Sequence, residues 1–295
     1  MRGIQTKRAT AMTWIESTPL LVIWLVLALQ FCAALFVGYR GKSFLNWISR
    51  KKQPVDKSDE AIGFLLSAAL ALLGLLIAFT FSMAANRFDA RRQLVTNEAN
   101  AVGTTYLRLQ LVDEPNRTTL SRLLLLYLDA RLAFFSAGTD KNAITRADAR
   151  TGAIETKMWN ALSLSVRSHP SATFNSALLQ ATNDMFDLAA ADRVERETRV
   201  PATILLVLQL YSLIAALMLG QTLASAHRSH FVAATTLFVL VGLAIALILD
   251  LDRPATGTIT VSTAPFARAA ESIRTMEIAR ARQSPPGAGH NRPGD

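Results

Sequence analysis

The chain has 295 residues, 51% of them hydrophobic and 18% charged, with a formal net charge of +9 and a single cysteine, Cys32. A mean hydropathy of +0.27, with the apolar residues gathered into four long runs, excludes an ordinary soluble domain and indicates a membrane protein. The positive balance does not indicate nucleic acid: Arg and Lys lie mainly beside the apolar runs, where they anchor spans and meet anionic headgroups, and no reader motif accompanies them.

Residues 1–60 carry a basic start (Arg2, Lys7, Arg8), Trp14 at a membrane edge, and an apolar run from Pro19 to Val37. This run is longer than the core of a signal peptide and lacks a small-x-small cleavage site, so it reads as an uncleaved first span. Cys32 lies inside it, which excludes an intrachain disulfide and a cysteine-based zinc site. From Tyr39 to Glu60 a basic loop is expected, in which SFLNWISRKK suits the membrane interface with Phe44, Trp47 and Ile48 dipping inward. The fragment GKS at Gly41 to Ser43 is not a phosphate loop, because Phe36 stands where an earlier glycine is needed and a span precedes it.

Residues 61–112 are the organising element. AIGFLLSAALALLGLLIAFTFSMAA is uncharged and long enough to cross a hydrocarbon layer about 30 Å thick. No Pro or Gly stands at its end, so the helix is expected to run on through NRFDARRQLVTNEANAVGTTYLRLQL as a stalk. In the stalk Phe88, Val95, Ala99, Val102, Tyr106 and Leu109 recur on one packed face. A second stripe, Gln93, Asn97, Asn100, Thr104 and Arg108, is polar but mostly uncharged, and burial of Asn97, Asn100 and Thr104 between helices or subunits is expected. Within the span, Ser67, Ala71, Gly74, Ala78 and Ser82 form a stripe of small residues, which serves close helix packing or pore lining. Arg87, Arg91 and Arg92 at its exit suit lipid phosphates and an anion-attracting channel mouth equally.

Residues 113–200 read as a soluble helical domain inserted between the second and third spans. DEP at Asp113 to Pro115 breaks the chain; helices follow at Thr118 to Phe135, at Asn142 to Ser168, and after His169 and Pro170. With the end of the stalk these make a four-helix bundle, and nothing reads as a strand. In 201–250 Pro201 opens a third span, Ala202 to Ala224, and a fourth runs from Phe231 to Leu249. His227 and His230 between them read as a solvated turn, since no third metal ligand is near. Residues 251–283 hold the rest of DLDRPATGTITVS and an amphipathic helix, Phe266 to Ala281; the tail 284–295 has the composition of disorder. Asp250 and Asp252 at the end of the fourth span oppose the helix dipole, so Arg253 or another basic residue is expected to compensate, with a bound cation as the alternative.

Four spans put both termini and the 85–200 domain on one side. That side carries Arg2, Lys7, Arg8, Arg87, Arg91, Arg92, Arg193, Arg196, Arg199, Arg253 and Arg268, against the loop after the first span and Arg228 on the other, so the domain is expected in the cytoplasm. No nucleophile elbow, H-E-x-x-H pair or dinucleotide loop appears. No catalytic residue, cofactor or metal site is therefore expected.

NRFDARRQLVTNEANAVGTTYLRL after a span, YLDAR at Tyr127 to Arg131, NDMFDLAAADR at Asn183 to Arg193, and LDLDRPATGTITVS after the last span together resemble the bacterial bestrophin-like family, also called DUF4239. The resemblance covers about residues 60 to 268. The family is similar in turn to the bestrophins, pentameric anion channels with four spans, cytosolic termini and a long helical insert. It implies that the second span lines a pore neck, with Ala71, Leu75, Phe79 and Ser82 toward the axis, a basic vestibule at Arg87, Arg91 and Arg92, and an acidic segment at Asp250, Asp252 and Arg253. Two features depart from bestrophins: the neck face is small or aliphatic where theirs carries several aromatics, and Phe88 and Asp89 replace a tandem Trp. The expected function is an oligomeric anion channel whose partners are the bilayer, further copies of the chain (five if bestrophin-like) and an inorganic anion. The alternative is a non-conducting membrane scaffold or signalling protein whose helical domain binds partners.

Overall fold

The computed structural model describes residues 18–48, 57–168, 173–224, 230–253 and 257–283. Among these residues the fold is all-helical, without strands: α1 Leu20–Ile48, α2 Lys57–Leu109, α3 Asn116–Ser136, α4 Lys141–Ser168, α5 Asn175–Glu197, α6 Ala202–Leu223, α7 Phe231–Asp252 and α8 Ala264–Gln283. Four helical stretches are long and apolar enough to cross a membrane, within Leu20–Lys42, Ile62–Leu109, Asn175–Leu223 and Phe231–Asp252. In the third, the apolar part is α6, whose sequence holds no Asp, Glu, Lys or Arg. The basic start with Trp14, the side chains of the interfacial piece after Lys42, His169, His227 and the tail lie outside the described residues.

Two boundaries differ from expectation. The loop expected from Tyr39 is helix as far as Ile48, since no proline interrupts it and the Arg40 guanidinium lies 5.4 Å from the Phe36 ring centroid one turn back. Helix α7 continues past Leu249 to take in Asp250 and Asp252. The unbroken α2 of 53 residues is as expected, and at 1.5 Å per residue it is about 80 Å long.

The helices gather into two compact units, Met1–Ala90 with Arg196–Thr260, and Arg91–Glu195 with Val261–Asp295. In the first, α1, α6, α7 and the apolar part of α2 share a core that includes Phe31, Leu35, Leu73, Ala84, Leu208, Ala216 and Phe238. Helices α1 and α6 cross closely: a methyl group at Gly38 would meet the Leu217 carbonyl, and one at Gly220 the Leu35 carbonyl. Phe31 and Phe238 lie 5.9 Å apart between α1 and α7, and the Trp24 indole N–H donates to the Val239 carbonyl at 3.3 Å.

In the second unit the end of α2 contributes Val95, Ala99, Val102, Tyr106 and Leu109 to a core shared with Leu124, Leu128, Met158, Leu162 and Met185. Helix α8 joins the same core through Phe266, Ala270 and Ile273. It is held by a Phe135–Phe266 ring contact at 5.1 Å, an Arg274–Asp129 ion pair at 2.6 Å and a Tyr106 hydroxyl donating to Glu277 at 2.9 Å. Nothing in the local pattern of α8 disclosed these partners, because each is more than a hundred residues away in the chain.

Candidate functional site

The apolar part of α2 has two unlike faces. Leu66, Leu73, Thr80 and Ala84, at steps of seven, seven and four, are buried against the other helices of their unit. On the other side Phe64 is 84% exposed, Phe79 64% and Leu75 49%, and Ser67, Ala71, Gly74, Ala78 and Ser82 are exposed with them. The four expected pore-lining residues therefore share the face that their own chain leaves uncovered. Two hydroxyls of this stretch satisfy themselves locally, Ser67 donating to the Gly63 carbonyl and Thr80 to the Leu76 carbonyl.

The three arginines at the end of this stretch are not equivalent. Arg92 is exposed and Arg87 half-buried, whereas Arg91 is buried. Of the three residues expected at a basic vestibule, Arg91 alone turns its side chain to the packed side of the helix.

Of the two settings expected for the polar stripe, between helices or between subunits, the structure removes the first. Asn97, Asn100 and Thr104 are exposed in the single chain, so they are not buried between its own helices. The packed face of the stalk is filled by Val95, Glu98, Ala99, Val102, Thr105 and Tyr106, which points the stripe outward. Arg108, half-buried, donates to the Ala177 carbonyl.

At the end of α7 the buried Asp250 carboxylate accepts the backbone N–H groups of Thr258 at 3.0 Å and Ile259 at 3.1 Å. A side chain at residue 257 would collide with that carboxylate, so glycine permits the turn. Asp252 accepts the Val200 N–H at 2.9 Å, its carbonyl accepts from Arg199 at 2.8 Å, and Arg253 donates to the Thr18 carbonyl at 2.9 Å. The acidic segment is thus a hub at which the stretches around Thr18, Val200 and Thr258 meet, with backbone amides among the groups that compensate the two carboxylates. Among the described residues no cluster of three or more metal-ligating side chains occurs.

One site escaped the sequence reading. In the second unit Arg131, fully buried, makes a two-pronged contact with Glu98, Nε to Oε1 at 2.6 Å and Nη2 to Oε2 at 2.7 Å. It also bridges to Asp192 at 2.9 Å, and the Tyr127 hydroxyl donates to Glu98 at 2.7 Å. The guanidinium stacks 4.7 and 4.8 Å from the Phe134 and Phe135 centroids. Desolvation raises the Glu98 carboxyl above its ordinary range, against the opposing pull of Arg131 and Tyr127. Desolvation also opposes the charge on Arg131, but the hydrogen bonds and charges of Glu98 and Asp192 outweigh it and hold the guanidinium protonated. Burial, then Glu98, pushes Tyr127 well up. The signal was present in the spacing: Glu98 falls between Val95 and Val102 on the packed face, three residues after the first.

Nearby in the same unit, a groove of about 290 Å³ between α4 and α5 is lined by Glu155, Thr156, Trp159, Asn160, Asn183 and Phe186. Desolvation raises the Glu155 carboxyl above its usual range, with Arg193 and Arg131 opposing.

A family model described as the bestrophin-like domain matches residues 41–266. No curated protein sequence matches. Among solved structures the chain is similar to a bacterial bestrophin homologue from Klebsiella pneumoniae solved by zinc phasing, at 14% identity and TM-score 0.60, covering 90% of this chain and 99% of that one. Single-substitution variants of that homologue match at 13% identity and TM-score 0.63, covering 90% and 99%, and at 12% identity and TM-score 0.61, covering 87% and 99%.

Proposed function

Since the chain belongs to the bestrophin-like family, we propose that it is a membrane channel for small inorganic anions, built from several copies arranged around their second helices. The observation that carries this reading is the face of α2 that its own chain leaves uncovered, on which Ala71, Leu75, Phe79 and Ser82 lie together. Large exposed apolar side chains on a helix whose opposite face packs at Leu73 and Ala84 suit an axis or a second copy. Around an axis, Leu75 and Phe79 form an apolar constriction that gates by dewetting, and Arg87 with Arg92 forms a basic mouth that favours anions. The helical domain between the second and third spans lies in the cytoplasm in this reading, and Asn97, Asn100 and Thr104 meet polar groups of neighbouring copies.

The test is reconstitution in planar bilayers. Phe79→Ala is expected to raise conductance, and Arg92→Glu to move the reversal potential toward the cation value under a salt gradient. Silent bilayers from well-folded assemblies of the wild type and both variants would favour the second reading, a scaffold whose helical domain binds partners. The observation in its favour is the groove at Trp159, a residue 41% exposed.

A further inference from the structure

Two glutamines of the apolar helices, Gln30 and Gln209, are settled differently from several hydroxyls around them. Thr80, Ser212 and Thr236 each bond the carbonyl four residues back on their own helix, which settles a polar group inside hydrocarbon. Glutamine has two N–H donors and a carbonyl with two lone pairs. Gln209 on α6 donates to Gln30 on α1 at 3.0 Å, and no other hydrogen bond of either side chain occurs among the described residues. Gln30 is exposed and Gln209 half-buried, so the free donors of Gln30 lie on an outer face of the helix pair.

Depth decides what that face can meet. The Gln30–Gln209 contact and that of Gly38 with Leu217, eight residues further along both helices, make α1 and α6 run in the same direction. At 1.5 Å per residue Gln30 is about 15 Å from Leu20, and Gln209 about 10 Å from Ala202. In a hydrocarbon layer of about 30 Å both lie near the middle, where neither water nor headgroups reach. An amide left toward lipid there is costly, and polar groups at that depth face protein or a function.

We infer that the Gln30–Gln209 pair is a contact between copies of this chain at mid-depth in the bilayer, and that it receives the second helix of the neighbouring copy at Gly74. This rests on the assembled-membrane-protein reading above. Gly74 lies about 16 Å before Ala85, at matching depth on a helix running the opposite way. Nothing lies within 4 Å of a methyl group built at Gly74, so its backbone is open to an incoming amide, and Ser67, Ala71 and Ala78 beside it allow close approach. Gly74 is about 100° around the helix from Leu75. A ring that turns Leu75 and Phe79 to its axis therefore turns Gly74 toward a flank. One surface meeting a different surface on the next copy is a head-to-tail contact, the kind that closes into rings, and the amide pair is incomplete without the partner copy.

Two measurements test it. Native mass spectrometry in detergent is expected to show the wild type as an oligomer and the Gln30→Leu, Gln209→Leu double variant with fewer subunits, although leucine suits lipid better than glutamine does. On a Cys32→Ala background, Gln209→Cys with Gly74→Cys is expected to give an inter-chain ladder on a denaturing gel after mild oxidation. A double-leucine variant that keeps its subunit number, or a wild-type-like oligomer that yields only single-chain bands on oxidation, overturns the contact while leaving the assembly reading intact. A monomeric wild type overturns both.

Discussion

Arg131 is a charge taken wholly out of water, and its position is tolerable only because two carboxylates and two aromatic rings surround it. Removing one partner strands the other, so Glu98→Leu and Arg131→Leu are each expected to cost about 3–5 kcal/mol. The double variant is expected to cost clearly less than their sum; unfolding midpoints of all four proteins in detergent check this, and additive losses would count against a coupled pair. Glu155 makes the opposite case. Its carboxyl is raised by desolvation, so its contribution to stability is full below the ordinary carboxylate range and is lost as pH rises through the raised value in the folded chain. Glu155→Gln is therefore expected to melt higher than wild type at pH 8, with the gap closing toward pH 5. A gap that widens on acidification would reverse the sign. The segments that carry the family resemblance contribute Glu98, Tyr127 with Arg131, and Asp192 to the buried network, and Asp250 with Gly257 and Thr258 to the hub. The residues were legible, but their pairing was not: Glu98 and Arg131 are 33 positions apart and Arg131 and Asp192 are 61, and no local period links such distances.

At the level of elements, the helices were readable because each carries its own signal: uncharged runs for α1, α6 and α7, and a three-and-four spacing for the stalk and α4. What faces what was less readable, as the outward polar stripe on α2 shows. Its amides suggested burial, but Val95, Glu98 and Val102 occupy the inner face and leave Asn97 and Asn100 about a hundred degrees or more away. The crossing of α1 and α6 was equally hidden, because two glycines 182 residues apart in a chain announce nothing until their backbones meet. Gly38→Ala and Gly220→Ala each place a methyl group against a facing carbonyl, so each is expected to push the helices apart and lower the melting temperature. Gly152→Ala, where a methyl meets nothing within 4 Å, is expected instead to stabilise α4 by about 0.5–1 kcal/mol. If all three behave alike, the close approach of α1 and α6 contributes nothing.

For the whole molecule, direction across the bilayer follows from parity and flanking charge. In the proposed reading four crossings return the chain to the side it started from, so the end of α8 and the α3–α5 helices would share a compartment with the N-terminus; three crossings would divide them. Arg2, Lys7, Arg8, Arg87, Arg91, Arg92, Arg193, Arg196, Arg199, Arg253 and Arg268 outnumber the basic residues of the loop after α1 with Arg228, so the proposed reading sets the shared side in the cytoplasm. In the proposed channel that orientation would fix which mouth is basic, and from which side an anion would meet Arg92 before the apolar ring at Phe79. On a Cys32→Ala background, a cysteine at Asn46 is expected to react with an impermeant maleimide in intact cells. One at Asn142, an exposed position at the start of α4, is expected to react only after permeabilisation. Labelling of Asn142→Cys alone would invert the protein and its mouth together, and labelling of both in intact cells would mean an even number of crossings between them, with α2 not spanning.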